Sequence, residues 1–271
     1  MTLWPVRRDA APLIAAALLC MALLGGCGST PGSGPQHQTA EAAYAAAKED
    51  MEAGSYESAI RNLNKVEALG AGTLLSQQAQ IDLAYVQWKT GERAAALATL
   101  DRFVKFHPSS PALDYALYLR GLANFNDDLG LLGSLSRQDL AERDQQASRD
   151  AWQAFKQLLD QFPESRYASD ARLRMDYIVN ALARHELYVA RYYYRRGAYV
   201  AAVNRAQRAV ADFQNSPAAE EALYIMVISY DRLALPQLRD DAERVLKQNF
   251  PDSRYLAEGL RDPEKAWWQF W

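Results

Sequence analysis

Gly197-Ala-Tyr199-Val-Ala-Ala202-Val203 is one of three copies of a short pattern; the others are Gly54-Ser-Tyr56-Glu-Ser-Ala59-Ile60 and Gly91-Glu-Arg-Ala-Ala-Ala96-Leu97. In each, a glycine ends one helix, an alanine follows five positions later, and a bulky aliphatic residue comes next. Glycine takes the backbone geometry of a tight turn, and the small alanine lets the second helix approach the first closely. The pattern predicts helix pairs joined by short turns and repeated along the chain.

The far ends of the pairs carry a second signature. Phe103 to Pro108 (FVKFHP), Leu158 to Pro163 (LLDQFP) and Leu246 to Pro251 (LKQNFP) each end in an aromatic or His residue followed by Pro. A serine comes two positions beyond each proline, at Ser110, Ser165 and Ser253. Ala209 to Pro217 is a fourth version with the proline displaced. Proline stops one helix and permits the next to start. These turns and helix ends look like the tetratricopeptide repeat.

Gly54 to Gly91 and Phe213 to Phe250 are each 37 residues apart, close to a unit of about 34. The 55 residues from His107 to Phe162 and the 51 from Phe162 to Phe213 hold a unit plus extra helix or loop. The fold expected is an all-α tetratricopeptide-repeat solenoid of about five helix pairs, near 41–72, 77–110, 112–166, 168–216 and 218–253. Units 1 to 3 make an N-terminal part, 41–166, with an insertion at 124–148, and units 4 and 5 a C-terminal part, 167–256. The insertion includes Asp127-Asp128 and a short apolar run between glycines, which reads as a packed surface loop or a contact for a partner.

Upstream of the repeats, Arg7 and Arg8 precede the apolar run Ala11 to Leu24, followed by Leu24-Gly25-Gly26-Cys27. The run spans roughly 21 Å as a helix, short of a bilayer core of roughly 30 Å, so it reads as a signal peptide over 1–26. Cys27 in this context is a lipidation site, and acyl chains on it would anchor the mature chain to a bilayer. In the bacterial lipoproteins this resembles, Asp at the next position favours inner-membrane retention; Gly28 stands there instead, implying an outer-membrane address. Residues 27–40, rich in Gly, Ser and Pro, read as a lipidated flexible tether.

Losing Arg7, Arg8 and Asp9 with the signal takes the formal net charge from −3 to −4, and no basic stripe is available for nucleic acid. The second cysteine, Cys20, lies within the signal, so the mature chain has no internal disulfide to rely on. Its three histidines are His37, His107 and His185. No GxSxG, HExxH, GxxxxGK or paired-Cys arrangement occurs, and the adjacent carboxylates Asp127-Asp128 and Asp240-Asp241 read as solvated. No catalytic residue, metal site or cofactor is expected. The expectation is a binding scaffold.

Two aromatic segments stand out. In Tyr188 to Gly197 (YVARYYYRRG), Tyr188, Tyr192 and Arg195 or Arg196 recur at roughly one-turn spacing, while Tyr193 reads as core. Arg195 and Arg196 suit a helix C-terminus, and arginine is also a favoured interface anchor. Tyr192, Arg195 and Arg196 are therefore the candidate partner-binding residues. The tail 257–271 ends in Trp267-Trp-Gln-Phe-Trp271, which either caps the last helix pair or meets a partner or bilayer interface.

The stretches Phe106 to Phe125 (FHPSSPALDYALYLRGLANF), Ser148 to Ala171 (SRDAWQAFKQLLDQFPESRYASDA) and Ala190 to Gln207 (ARYYYRRGAYVAAVNRAQ), with the lipobox at Cys27, resemble the BamD, or ComL, family of outer-membrane protein assembly factors. The likeness runs from about Glu41 to Ser253. It implies a non-catalytic, lipid-anchored repeat protein at the periplasmic face of the outer membrane. The partners it implies are the periplasmic POTRA domain of the barrel insertase BamA, bound by the C-terminal half, other assembly-complex lipoproteins, and unfolded outer-membrane proteins received by the N-terminal repeats. The family's Arg-Gly before the fourth-repeat turn falls on Arg196-Gly197, and Arg195 replaces a frequent Glu. A periplasmic repeat scaffold organising peptidoglycan or cell-division factors is the alternative.

Overall fold

A computed structural model describes residues 39–125 and 145–260. Cys27 and most of the tether, Asp127 and Asp128, and the aromatic run Trp267 to Trp271 lie outside the described residues. Within them there are eleven α-helices and no strand. They are α1 (Ala40–Glu52), α2 (Tyr56–Leu69), α3 (Leu74–Lys89), α4 (Arg93–Phe106), α5 (Leu113–Asn124), α6 (Gln145–Gln161), α7 (Ala168–Arg195), α8 (Tyr199–Asp212), α9 (Ala218–Arg232), α10 (Pro236–Asn249) and the short α11 (Arg254–Glu258). Each helix packs on its successor from α1 to α10, and α1 also meets α3, α3 meets α5, α7 meets α9 and α9 meets α11. Helix pairs stacked on neighbouring pairs are the tetratricopeptide arrangement.

The turn within a pair is set by its glycine. At Gly197 φ is +75°, a value that L side chains rarely adopt, and Ala198 N–H closes the turn on Tyr193 O at 3.0 Å. Gly54 and Gly91 repeat this conformation at +73° and +81°. The alanines five residues on, Ala59, Ala96 and Ala202, are fully buried where the second helix of the pair crosses the first.

The turn between pairs is equally regular, and the structure gives the recurring serine its role. Ser110, Ser165, Ser216 and Ser253 N–H groups donate to the carbonyls of His107, Phe162, Phe213 and Phe250 at 2.9–3.1 Å. For the first three, the hydroxyl then accepts the N–H two residues later, from Ala112, Tyr167 and Ala218, at 3.2–3.4 Å. The serine thus occupies donors that would otherwise be orphaned where the next helix begins. Phe213 follows the same geometry although its proline sits at 217.

The apolar faces form a connected series of clusters. Ala47, Leu63 and Val86 join α1 to α3; Leu100, Phe103, Leu117, Phe155 and Ile178 join α3 to α7; Ala190, Ala206 and Ile225 join α7 to α9. Helix α7, 28 residues long, belongs to two of them: Ala171, Ile178 and Leu182 to one, Ala183, Leu187 and Ala190 to the next. One continuous helix therefore carries the N-terminal packing into the C-terminal packing. The extra length anticipated between Phe162 and Phe213 is helix. In the third pair α6 begins at Gln145, inside the stretch 124–148 assigned to the insertion, because Ser148, Ala151, Phe155 and Leu158 already form its buried face.

Helices α5 and α6 meet unusually closely. Gly121 faces the fully buried ring of Phe155, and a β-carbon at 121 would lie 2.3 Å from a ring atom. The glycine here serves contact with the ring, and the helix accepts its weak propensity to obtain it.

Candidate partner-binding surface

The last turns of α7 place their residues in two sets. Leu187 and Ala190 are buried, and Tyr193 and Tyr194 are half-buried against the same cluster. Tyr188 and Tyr192 are 51% and 45% exposed, one turn apart on the outside. Arg196, a further turn on, stands over the Tyr192 ring with its guanidinium carbon 5.5 Å from the ring centroid, a cation–π arrangement. The structure thus brings Tyr192 and Arg196 together. Arg195 is exposed beside them without that ring contact, and among the described residues neither arginine makes an ion pair. Both guanidinium forks remain free for a carboxylate-bearing partner, and Tyr192 is already ordered beneath one of them.

Behind this strip lies a polar lock that the sequence reading missed. Arg191 Nε and Nη2 donate to the two carboxylate oxygens of Glu221 on α9, and Tyr255 Oη on α11 donates to Glu221 Oε2 at 2.8 Å. Arg254 donates to the same Tyr255 oxygen at 2.9 Å. Nearby, Arg205 on α8 donates to Glu186 of α7 at 3.1 Å. Glu186 and Glu221 are 5% and 3% exposed. Burial by itself would lower the Arg191 pKa; the hydrogen bonds and charge of Glu221 outweigh it, and the pKa is raised. Burial raises the Tyr255 phenol, Arg254 opposes that, and Glu221 adds to it. Two neighbouring helices, α8 and α9, therefore grip α7 through charged pairs, and Tyr255 of α11 braces Glu221 from behind, fixing the rotation at which Tyr192 and Arg196 face out. The signal available in sequence was Glu221 itself, a carboxylate in register with the buried Ala218, Ala222 and Ile225.

A second feature lies toward the N-terminal pairs. Gln78, Ala112, Asp114, Tyr115, Arg166 and Tyr167 line a cavity of about 570 Å³. Its floor is aromatic: Tyr167 stacks on Tyr118 at 4.7 Å and lies 5.2 Å from Tyr115. Burial, aided by neighbouring phenols and Asp82, pushes Tyr115 up to about 12, so it stays neutral at physiological pH. Asp114 accepts from Ser165 at 2.7 Å, and Arg166 covers the Tyr167 ring at 4.8 Å. The lining offers rings with a charge of each sign, a composition suited to an extended peptide.

His107 lies 5.1 Å from the Phe103 ring at the end of α4, a packing position. Asp240 and Asp241 pair with Arg239 and Arg244 on the surface of α10. Among the described residues no group of His, Cys, Asp and Glu could hold a metal, and no helix is long and apolar enough to cross a membrane.

A stack of tetratricopeptide-type pairs carrying a basic-aromatic strip and an aromatic cavity is the architecture of a helical repeat protein. The family model described as YfiO, outer membrane lipoprotein, matches residues 36–246. Outer membrane protein assembly factor BamD of Neisseria meningitidis serogroup B is 43% identical over 236 residues, covering 87% of this chain and 88% of that protein. Proteins of the same name from Vibrio cholerae and Xylella fastidiosa are 32% identical (86% of this chain, 96% of the relative) and 34% identical (90% and 84%). The chain belongs to the YfiO/BamD family, whose named members are assembly factors and not enzymes.

Proposed function

We propose that this chain is a lipid-anchored component of the machinery that assembles β-barrel proteins in the outer membrane. The observation that carries the reading is the family match across nearly the whole chain, together with the free arginine strip at the end of α7. Acyl chains on Cys27 hold the protein to the periplasmic face of the outer membrane. Tyr192, Arg195 and Arg196 bind acidic and backbone groups on the periplasmic POTRA domain of the insertase BamA. The cavity around Tyr115 and Tyr167 receives an extended segment of an unfolded outer-membrane protein, aromatic side chains stacking on its floor. Other lipoproteins of the complex attach alongside.

No bond is made or broken in this reading. The protein raises the local concentration of client at the insertase, because lipid and protein contacts engage the same complex together. Depleting the protein from cells is therefore expected to lower the level of folded barrels in the outer membrane. In the same cells a Cys27→Ala copy is expected to leave the membrane fraction. Normal barrel levels with disturbed peptidoglycan or division would instead favour the envelope-scaffold alternative, and a Cys27→Ala protein still sedimenting with membranes would remove the lipid anchor.

A further inference from the structure

The last two helix pairs enclose a second apolar groove that the proposed function leaves unused. It measures about 510 Å³ and runs between α8, α9 and α10, lined by Val210, Ala211, Leu223, Met226, Val245 and Phe250, with Gln207, Gln214 and Asn249 among its polar groups. Val245 is 36% exposed. An open apolar groove at the final repeat is what a following repeat or a cap ordinarily covers.

We propose that its occupant is the chain's own aromatic C-terminus, Trp267 to Trp271, folded back as the cap of the last repeat. Four of those five residues are Trp or Phe, a large apolar area placed at the very end of the chain that bears the groove. The exit point is near. Leu260, the last described residue, packs on the cluster shared by α7, α8 and α9, and Val210 and Met226 of the groove pack on that same cluster. Trp267 is seven positions beyond Leu260, a reach of about 23 Å, while a helix with its side chains is about 10–12 Å across. Arg261, Asp262, Glu264 and Lys265 make the intervening sequence polar.

The chemistry of the groove matches indole. Gln207 donates one amide N–H to Tyr230 Oη at 3.2 Å, and Asn249 donates one to the Val245 carbonyl at 2.9 Å. Each side chain also carries an amide carbonyl oxygen, an acceptor that suits the indole N–H, which is purely a donor. Met226 supplies a sulfur, whose contacts with aromatic rings are favourable.

The chain from Gly28 onward contains no cysteine, which allows a direct test. The residues omitted lie outside the helical unit that begins at Ala40. Val245→Cys is combined in turn with Trp267→Cys, Trp268→Cys and Trp271→Cys, and oxidation is followed by mass spectrometry and non-reducing electrophoresis. Lys247→Cys replaces Val245→Cys in the control, being on the same helix but not in the groove. The expected result is an intrachain disulfide between Val245→Cys and at least one tail position, lost with Lys247→Cys. Thiols that react with maleimide yet form no intrachain bond, or that bond equally at 247, would overturn the proposal. Disulfide-linked dimers in place of intrachain bonds would assign the groove to a second copy and overturn it equally.

Discussion

Replacing Glu221 with alanine is expected to cost about 3 kcal/mol of stability, read as a lower urea midpoint with an unchanged slope. The carboxylate is 3% exposed and accepts from Arg191 twice and from Tyr255 once. Its removal leaves a guanidinium facing a cavity and a buried phenol without its acceptor. Losing one member of a buried pair costs about 3–5 kcal/mol, and the lower end applies because the Arg191 side chain is 33% exposed and water reaches part of it. The exposed pair Lys156–Asp160, 2.6 Å apart one turn along α6, is the internal contrast: Lys156→Ala should change stability by less than about 0.5 kcal/mol. If Glu221→Ala proved as mild as Lys156→Ala, the lock behind the arginine strip would not exist as described.

Gly121→Ala is expected to destabilise by about 2 kcal/mol, although alanine is the better helix former by about 1 kcal/mol. The new β-carbon would sit 2.3 Å from the Phe155 ring, which is fully buried and flanked by Tyr118 at 6.1 Å. Either the ring leaves its position or α5 and α6 move apart, and both disturb the cluster that reaches α7. Pairing Gly121→Ala with Phe155→Leu should recover part of the loss, because the shorter side chain removes the clash. A Gly121→Ala protein more stable than the parent would mean that the two helices do not meet at this point.

The repeat was legible because its cause is local. A glycine with positive φ and an alanine five residues later state the turn and the crossing in seven residues, and the aromatic residue with serine three positions on states the next turn. The length of α7 was only partly legible: spacing showed extra chain between Phe162 and Phe213, but an unbroken helix of 28 residues depends on packing against two clusters at once. Tyr192 and Arg196 were legible as neighbours from one-turn spacing. Their support was not, because Glu221 lies 30 residues from Arg191 and 34 from Tyr255 in sequence, and the three meet only when α7, α9 and α11 are packed. The aromatic cavity escaped for the same reason, its lining coming from α3, from the start of α5 and from the turn before α7.

The central claim is that the end of α7 docks on the periplasmic domains of the barrel insertase, and titration calorimetry tests it directly. The chain from Gly28 is titrated into the POTRA domains from the same organism, beside Arg196→Glu. The substitution reverses a charge that sits over Tyr192 at the surface and, among the described residues, has no ion-pair partner to lose. Saturable binding by the parent, lost in a variant that keeps its helical spectrum and urea midpoint, is the predicted result. Equal binding by both would contradict the assignment of this strip, and no binding by a well-folded parent would contradict the insertase-docking claim itself.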